Sequence, residues 1–187
     1  MSTSWKIDPA HSEIQFKVRH LMVTNVTGYF RKFDLVVETE TDDFNSASKI
    51  EFTADLDSIE TNNEQRDTHL KSDDFFNAEK FKQLRFVGKE YKSDVDEATL
   101  TGDLTIRDVT KPIKLHVEYG GAVVDPWGQT KAGFTVTGKI SRKEFGLTWN
   151  SVTEAGQVVV SDDIRILCEI QLVKQNVEEV VEEEAEV

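Results

Sequence analysis

Apolar and polar residues alternate along most of this chain. In the stretch 48–57, Ile50, Phe52, Ala54 and Leu56 are apolar and the residues between them are polar. Alternation with a period of two is typical of a strand that has one buried and one wet face. The pattern therefore predicts an all-β chain, and the same alternation marks seven further strands near residues 13–19, 29–37, 84–86, 98–106, 113–119, 134–140 and 164–172.

The wet outer faces indicate how these strands pair. Parallel strands are buried on both faces and have continuous apolar runs, so the alternation favours antiparallel pairing. Several predicted strands are about nine to thirteen residues long, above the usual length of about five or six. Long strands leave long unpaired edges in an open sheet, and closure removes those edges. The sequence favours an eight-stranded up-and-down antiparallel barrel, with a two-sheet sandwich as the alternative.

One segment breaks the alternation and predicts a short helix over residues 61–70. Asn62 or Asn63 provides an N-cap, and Gln65 is placed to complete a capping box. The helix is polar on nearly all sides, so we expect it to cap one mouth of the barrel. Phe75 and Phe76 follow it and need an apolar surface, such as the barrel rim.

Composition limits the classes of function. A length of 187 residues suits one domain. The formal net charge of −13 argues against binding to nucleic acid or anionic lipid surfaces. No apolar run is long enough to span a bilayer, and a single cysteine excludes an intrachain disulfide. No secretory signal is visible, so we expect a cytoplasmic protein, or a periplasmic one if a signal has been removed.

The last residues differ from the rest. The chain divides into a barrel domain, residues 1–173, and an acidic tail, residues 174–187, which contains six glutamates. We expect this tail to be solvated and disordered. The alternative is an amphipathic segment that docks on a partner, because its valines have helical spacing.

Signatures of catalysis are absent from the sequence, and the four histidines lack the spacing of a local metal site. We therefore expect no catalytic residue, no metal and no cofactor. His20 shares parity with the inward residues of its strand, so it is a candidate for a ligand headgroup or for a bond to a nearby carbonyl. Arg66 and His69 lie together on the predicted helix, where they fit either an anion or structural pairing. Cys168 has buried parity and is interpreted as a core residue.

Aromatic residues offer two interpretations of the barrel interior. Eleven phenylalanines, three tyrosines and three tryptophans fit a barrel filled by its own side chains. However, Ala54, Gly102, Ala132 and Gly138 share the inward faces with these large residues, and small residues leave space. Unfilled apolar space is costly unless a ligand occupies it, so a ligand tunnel is the second interpretation.

Ten segments in order along the chain form a recognisable set: 8–21, 26–30, 59–63, 66–70, 72–76, 102–106, 109–112, 127–128, 132–134 and 141–149. Together, over roughly residues 4–173, they resemble the YceI-like family. The resemblance implies an extended lipocalin-like barrel of eight strands. It also implies a pore for a long isoprenoid or similar amphiphilic lipid, and often a homodimer. A bound isoprenoid or fatty-acid-like lipid is then the one ligand that we expect in place of a cofactor.

These observations lead to the hypothesis of a non-enzymatic carrier for a long isoprenoid, for example an isoprenoid quinone. The headgroup candidates are His20, Arg66 and His69. One alternative is an enzyme for a lipid-like substrate with a pocket histidine as general base, and another is an interaction module with a filled barrel. The predicted tunnel lining comprises Phe16, Val18, His20, Phe52, Leu56, Phe86, Leu100, Leu104, Leu115, Val117, Phe134 and Val136.

Overall fold

The computed structural model describes residues 2–95 and 97–175, and in them one α-helix accompanies eleven strands. The helix α1 spans Glu64–Lys71. The strands are β1 Thr3–Ile7, β2 Glu13–His20, β3 Thr24–Phe30, β4 Phe33–Thr39, β5 Ala47–Asp55, β6 Ile59–Glu60, β7 Gln83–Asp94, β8 Glu97–Ile106, β9 Val109–Val124, β10 Thr130–Ser141 and β11 Val160–Lys174.

The eleven strands occupy eight positions around a closed barrel. Three positions hold two strands each, because β1 continues into β2, β3 into β4 and β5 into β6. Every pairing is antiparallel, and β11 closes the ring by pairing with β2 and then with β1. The predicted eight-stranded antiparallel barrel is confirmed, and the sandwich alternative is excluded because closure leaves no second sheet.

The break between β1 and β2 is built around Asp8. Its carboxylate accepts a hydrogen bond from the backbone N–H of Ala10 (3.1 Å) and lies 2.8 Å from Nδ1 of His11. Lys131 and Gln171, from β10 and β11, also donate to it at 3.1 Å. Burial alone would raise the pKa of Asp8, but these bonds outweigh it and lower the pKa to about 2. Asp8 therefore links the bend between β1 and β2 to β10 and β11, which lie across the closure of the barrel.

The up-and-down order gives the barrel two different ends. We call the end that holds α1 the helix end, and it also contains residues 21–23, 107–108 and 142–159. The other end, the plug end, contains residues 40–46 and 125–129 and the outer ends of β1 and β11. The helix begins after Asn63, whose side chain accepts a hydrogen bond from the Arg66 N–H at 2.8 Å. Gln65 is therefore the second helical residue, and a capping box would need it at the third.

Four aromatic rings fill the plug end, and we call them the aromatic plug: Trp5, Phe44, Tyr119 and Phe134. Phe44 is the centre, because its ring centroid lies 4.9 Å from that of Trp5 and 4.9 Å from that of Phe134. Tyr119 packs on Phe134 at 5.2 Å. The indole N–H of Trp5 is buried and donates to the Thr39 hydroxyl at 3.3 Å. Tight aromatic packing with a satisfied polar atom makes this end a solid core.

Glycines in the strands accept the side chains of neighbouring strands. A Cβ on Gly28 would lie 2.2 Å from Cζ of Phe16, and one on Gly102 would lie 2.5 Å from Cζ of Phe86. Both phenylalanine rings therefore lie against the barrel wall. The argument that Gly102 and Gly138 leave empty space at their own positions is wrong, because Phe86 and Leu115 already occupy it. These glycines instead keep large side chains out of the barrel centre.

Candidate functional site

The half of the barrel toward the helix end contains a cavity of about 240 Å³. The space that protein atoms leave empty among its lining residues, including the part open to solvent, is about 1390 Å³. Leu70 of α1 and Phe75, Phe76 and Leu147 of the neighbouring loops cover it at the helix end. The aromatic plug lies outside its lining, so the cavity ends where the plug begins.

The wall of the cavity is almost entirely apolar. Gln15 and Arg142 are the polar residues among its described lining, together with the thiol of Cys168. Most of the remaining wall is aliphatic, and it follows the inward parity of each strand. The aliphatic residues absent from the predicted lining, although they obey the same alternation, are Ile14, Leu35, Ile50, Leu84, Ile106, Ile113, Ile140, Ile164, Ile166 and Ile170.

Eight of the twelve residues in the predicted lining lie on this wall: Phe16, Val18, Phe52, Phe86, Leu100, Leu104, Leu115 and Val136. The other four do not. Val117 and Phe134 face inward but belong to the filled half. Leu56 is completely buried in the turn between β5 and β6. His20 is the last residue of β2 and lies half-buried outside the lining.

Arg66 is engaged in a structural role. Its Nε donates to the Thr61 hydroxyl at 2.7 Å, and one of its terminal nitrogens donates to the Thr61 carbonyl. Asp67 completes the arrangement by accepting from the Thr61 backbone N–H at 2.8 Å. Arg66 therefore anchors the chain as it enters α1, and it does not line the cavity.

His69 also pairs within the helix end. Its Nε2 lies 2.8 Å from the carboxylate of Asp74, and 38% of its side chain is exposed. Its ring packs edge-on against Phe75 (5.1 Å) and Trp149 (4.7 Å between centroids). This three-ring contact joins α1 to the segment 147–159 and forms part of the rim beside the cavity. The structure thus does not bring His20, Arg66 and His69 together around one point on the cavity wall.

Sequence reasoning missed two polar residues of the site, Gln15 and Arg142, and Arg142 has the larger structural role. Its side chain is only 3% exposed, and it donates to the carbonyls of Leu147 (2.7 Å), Trp149 (2.7 Å) and Ser161 (2.9 Å). Burial lowers the pKa of its guanidinium, while nearby Asp162 opposes that shift. Backbone carbonyls as partners leave no pattern in a sequence, so only the three-dimensional structure shows that Arg142 holds the rim.

Cys168 lies on the cavity wall, on the inward face of β11. Burial raises the pKa of its thiol to about 11, so the group is neutral at physiological pH. A neutral thiol in an apolar wall acts as a small apolar side chain.

None of the four histidines lines the cavity. The enzyme alternative required a histidine inside the pocket as general base, so the structure does not supply the residue on which that alternative rested. The filled-barrel alternative required a core without space, and the cavity contradicts that requirement.

Two further expectations concern the tail and the membrane. Lys174 is the last residue of β11, and from residue 176 onward the predicted acidic tail lies outside the described residues. In the described part of the chain, no helix has the length and apolar character needed to cross a membrane.

Comparison with known proteins identifies the family. The model of the YceI-like domain matches residues 5–172. The chain belongs to the YceI-like family. A UPF0312 protein of Staphylococcus aureus (strain USA300) is 40% identical over 164 residues, which cover 87% of this chain and 93% of that protein.

Solved structures agree with this membership. The YceI protein of Campylobacter jejuni is 34% identical and superposes with a TM-score of 0.72 over 84% of this chain and 90% of its own. BcnA of Burkholderia cenocepacia, at 19% identity, shares the fold with a TM-score of 0.75 over 88% of this chain and 98% of its own. A polyisoprenoid binding domain from Saccharophagus degradans, at 14% identity, shares the fold with a TM-score of 0.63 over 91% of this chain and 98% of its own.

Proposed function

We propose that this YceI-like protein is a non-enzymatic carrier that holds a long isoprenoid or similar amphiphilic lipid in its cavity. The observation that carries the proposal is the apolar cavity of about 240 Å³ inside a closed barrel. A hydrocarbon chain fits such a wall because it needs no hydrogen-bond partner. The description of the Saccharophagus degradans domain as polyisoprenoid-binding supports the isoprenoid class, on the level of a shared fold.

The energetics favour an occupied cavity. An empty apolar cavity costs about 24 cal/mol per Å³, or about 6 kcal/mol for this volume. Each CH₂ group transferred from water contributes about 0.8 kcal/mol before the costs of association. A chain of a few isoprene units therefore provides enough free energy for tight binding.

The test combines native mass spectrometry of gently purified protein with titration of geranylgeraniol. We expect a co-purified lipid or saturable uptake of the probe. Val136→Trp fills the cavity from β10, and it should abolish uptake. Thr135→Trp adds the same ring to the outer face of the same strand and serves as the matched control. Absence of saturable uptake in the unmodified protein would refute the proposal.

A homodimer is part of the same proposal, since the family resemblance implies one. Light scattering of the purified protein, with and without geranylgeraniol, measures it directly. A molar mass equal to one chain in both conditions would refute the dimer, and the proposed carrier role would be unaffected.

A further inference from the structure

Three cations face one another across adjacent strands on the outside of the barrel, and we call them the cation row. Lys139 of β10 is directly opposite Arg165 of β11, and Arg165 is directly opposite Lys17 of β2. Like charges at directly opposed positions destabilise a sheet. Such a row is unexpected in a chain with a net charge of −13, which has 35 acidic residues available as partners.

The cation row continues into a groove that contains further cationic and polar groups. Lys114 and His116 of β9 line this groove with the row, and no carboxylate is among its described lining residues. Lys139 pairs with Asp163 at 3.5 Å, and Nε2 of His116 lies 3.8 Å from the Glu118 carboxylate. Within the described ranges 2–95 and 97–175, Lys17, Lys114 and Arg165 have no carboxylate within salt-bridge distance. The protein therefore leaves the charges of these three cations without an ion-pair partner in the groove.

The groove lies over a discontinuity in the barrel wall. The ladder between β9 and β10 ends at the pair Thr137–His116. Beyond it, β9 pairs only with β8 and β10 only with β11, so residues 109–115 and 138–141 have no ladder between them. We call this discontinuity the seam. A comparable gap between β5 and β7 is closed by Asn45, whose amide exchanges two hydrogen bonds with Ser93 at 2.7 and 2.9 Å.

At the seam, the cavity and the outer groove are one side chain apart. Leu115 and Ile166 line both of them. Leu115 packs over Gly138, where a Cβ would lie 2.6 Å from its Cδ2. An apolar interior and a cationic exterior thus meet at side chains that can change rotamer without breaking a backbone hydrogen bond.

We propose that the seam is a lateral opening of the barrel, and that the cation row with Lys114 binds the phosphate-type headgroup of a lipid whose chain lies in the cavity. This inference rests on the proposed carrier function and adds the class of lipid, which is phosphorylated. Phosphate and diphosphate groups present several anionic oxygens, and an arginine flanked by lysines is suited to them. Arg165 has Lys139 and Lys17 as its direct neighbours.

The experiment compares geranylgeranyl diphosphate, geranylgeraniol and inorganic diphosphate by calorimetric titration. The seam variant is Lys114→Gln/Lys139→Gln/Arg165→Gln. The matched control is Lys32→Gln/Lys49→Gln/Lys92→Gln, which removes the same charge from exposed positions elsewhere on the barrel. Thermal melts establish that both variants are folded.

We expect the unmodified protein to bind the diphosphate lipid about tenfold more tightly than the alcohol, and to lose this preference as salt is added. The seam variant should lose the preference while its affinity for the alcohol stays unchanged, and the control variant should keep the preference. An unchanged preference in the seam variant, or no preference in the unmodified protein, would overturn the inference and leave the carrier function intact. Inorganic diphosphate binding as tightly as the lipid would overturn the headgroup assignment, and failure of both lipids would instead refute the carrier function.

Discussion

The two halves of this barrel share the same strands but differ in how their interiors are filled. In the plug half, Trp5, Phe44, Tyr119 and Phe134 meet near the centre, and none of them lines the cavity. In the half toward the helix end, aliphatic residues dominate the wall, and the tips of the Phe16 and Phe86 rings lie over glycines. The difference teaches that a hollow barrel depends on where the large rings are directed, and alternation alone does not determine this.

The largest expected effect on stability comes from removing one aromatic ring from each half. Phe134→Ala deletes a side chain surrounded by other rings, and we expect it to lower the free energy of unfolding by about 3–5 kcal/mol. Phe52→Ala deletes a ring that already borders empty space, so it loses fewer contacts and should cost roughly half as much. Urea unfolding of both variants measures the difference. Equal losses would mean that the two halves are equally well packed.

A second test concerns the rim of the hollow half. Arg142→Leu leaves the carbonyls of Leu147, Trp149 and Ser161 without their donor, and we expect a loss of about 2–4 kcal/mol. Hydrogen exchange should rise in residues 147–160 and stay unchanged in the aromatic plug. Lys143→Leu changes the exposed neighbour and is the control, with an expected effect within about 0.5 kcal/mol. Uniform exchange throughout the barrel would contradict a local role for Arg142.

The pH dependence of stability reports on the wall of the hollow half. The pKa of the Cys168 thiol is about 11 in the folded protein, and its reference value, which applies to the unfolded chain, is 9.0. A pKa raised by folding adds stability that is present below pH 9 and is lost as the pH rises toward 11. We expect the unmodified protein to lose roughly 2–3 kcal/mol more than Cys168→Ala between pH 8 and pH 11. Parallel pH profiles for the two proteins would show that the thiol is not buried in an apolar wall.

The smallest expected effect comes from the glycine beneath Phe16. Gly28→Ala forces the Phe16 ring away from the wall and into the cavity, with a cost of about 1–3 kcal/mol and a loss of geranylgeraniol uptake. Gly133→Ala is the control, because a Cβ there has no atom within 4 Å. Calorimetric titration and urea unfolding of both variants provide the measurement. Unchanged uptake in Gly28→Ala would show that the position of the Phe16 ring does not determine how much lipid the cavity accepts.

Much of the fold was predictable from the sequence. The alternation located all eight strand positions and most of the inward faces, because a half-buried strand imposes a period of two on its residues. It placed Tyr29 on one face with Leu35, but Phe30 faces inward, since the strand is interrupted between β3 and β4 and the parity changes there. It missed β1, which is short and joins β2 through the turn around Asp8. That turn depends on bonds from Lys131 and Gln171, far away in sequence, and no local pattern encodes them.

The site was less predictable than the fold. Parity identifies inward residues, but it cannot assign them to the filled or to the hollow half, so Val117 and Phe134 were placed in the lining. The division depends on Phe44, which enters the barrel from the segment between β4 and β5 and meets rings from other strands. The sequence left Arg66 open between an anion ligand and structural pairing, because its carbonyl partner on Thr61 cannot be recognised in the sequence.

Both described ends of the chain lie on the same pole of the barrel. Trp5 pairs with Lys174, and the Gln175 N–H donates to the Ser4 carbonyl at 2.8 Å. A tether attached at either of these ends would therefore hold the molecule by its solid pole. The cavity and its covering helix would then face away from the support. The protein can therefore be immobilised for lipid-capture assays without obstructing the helix end.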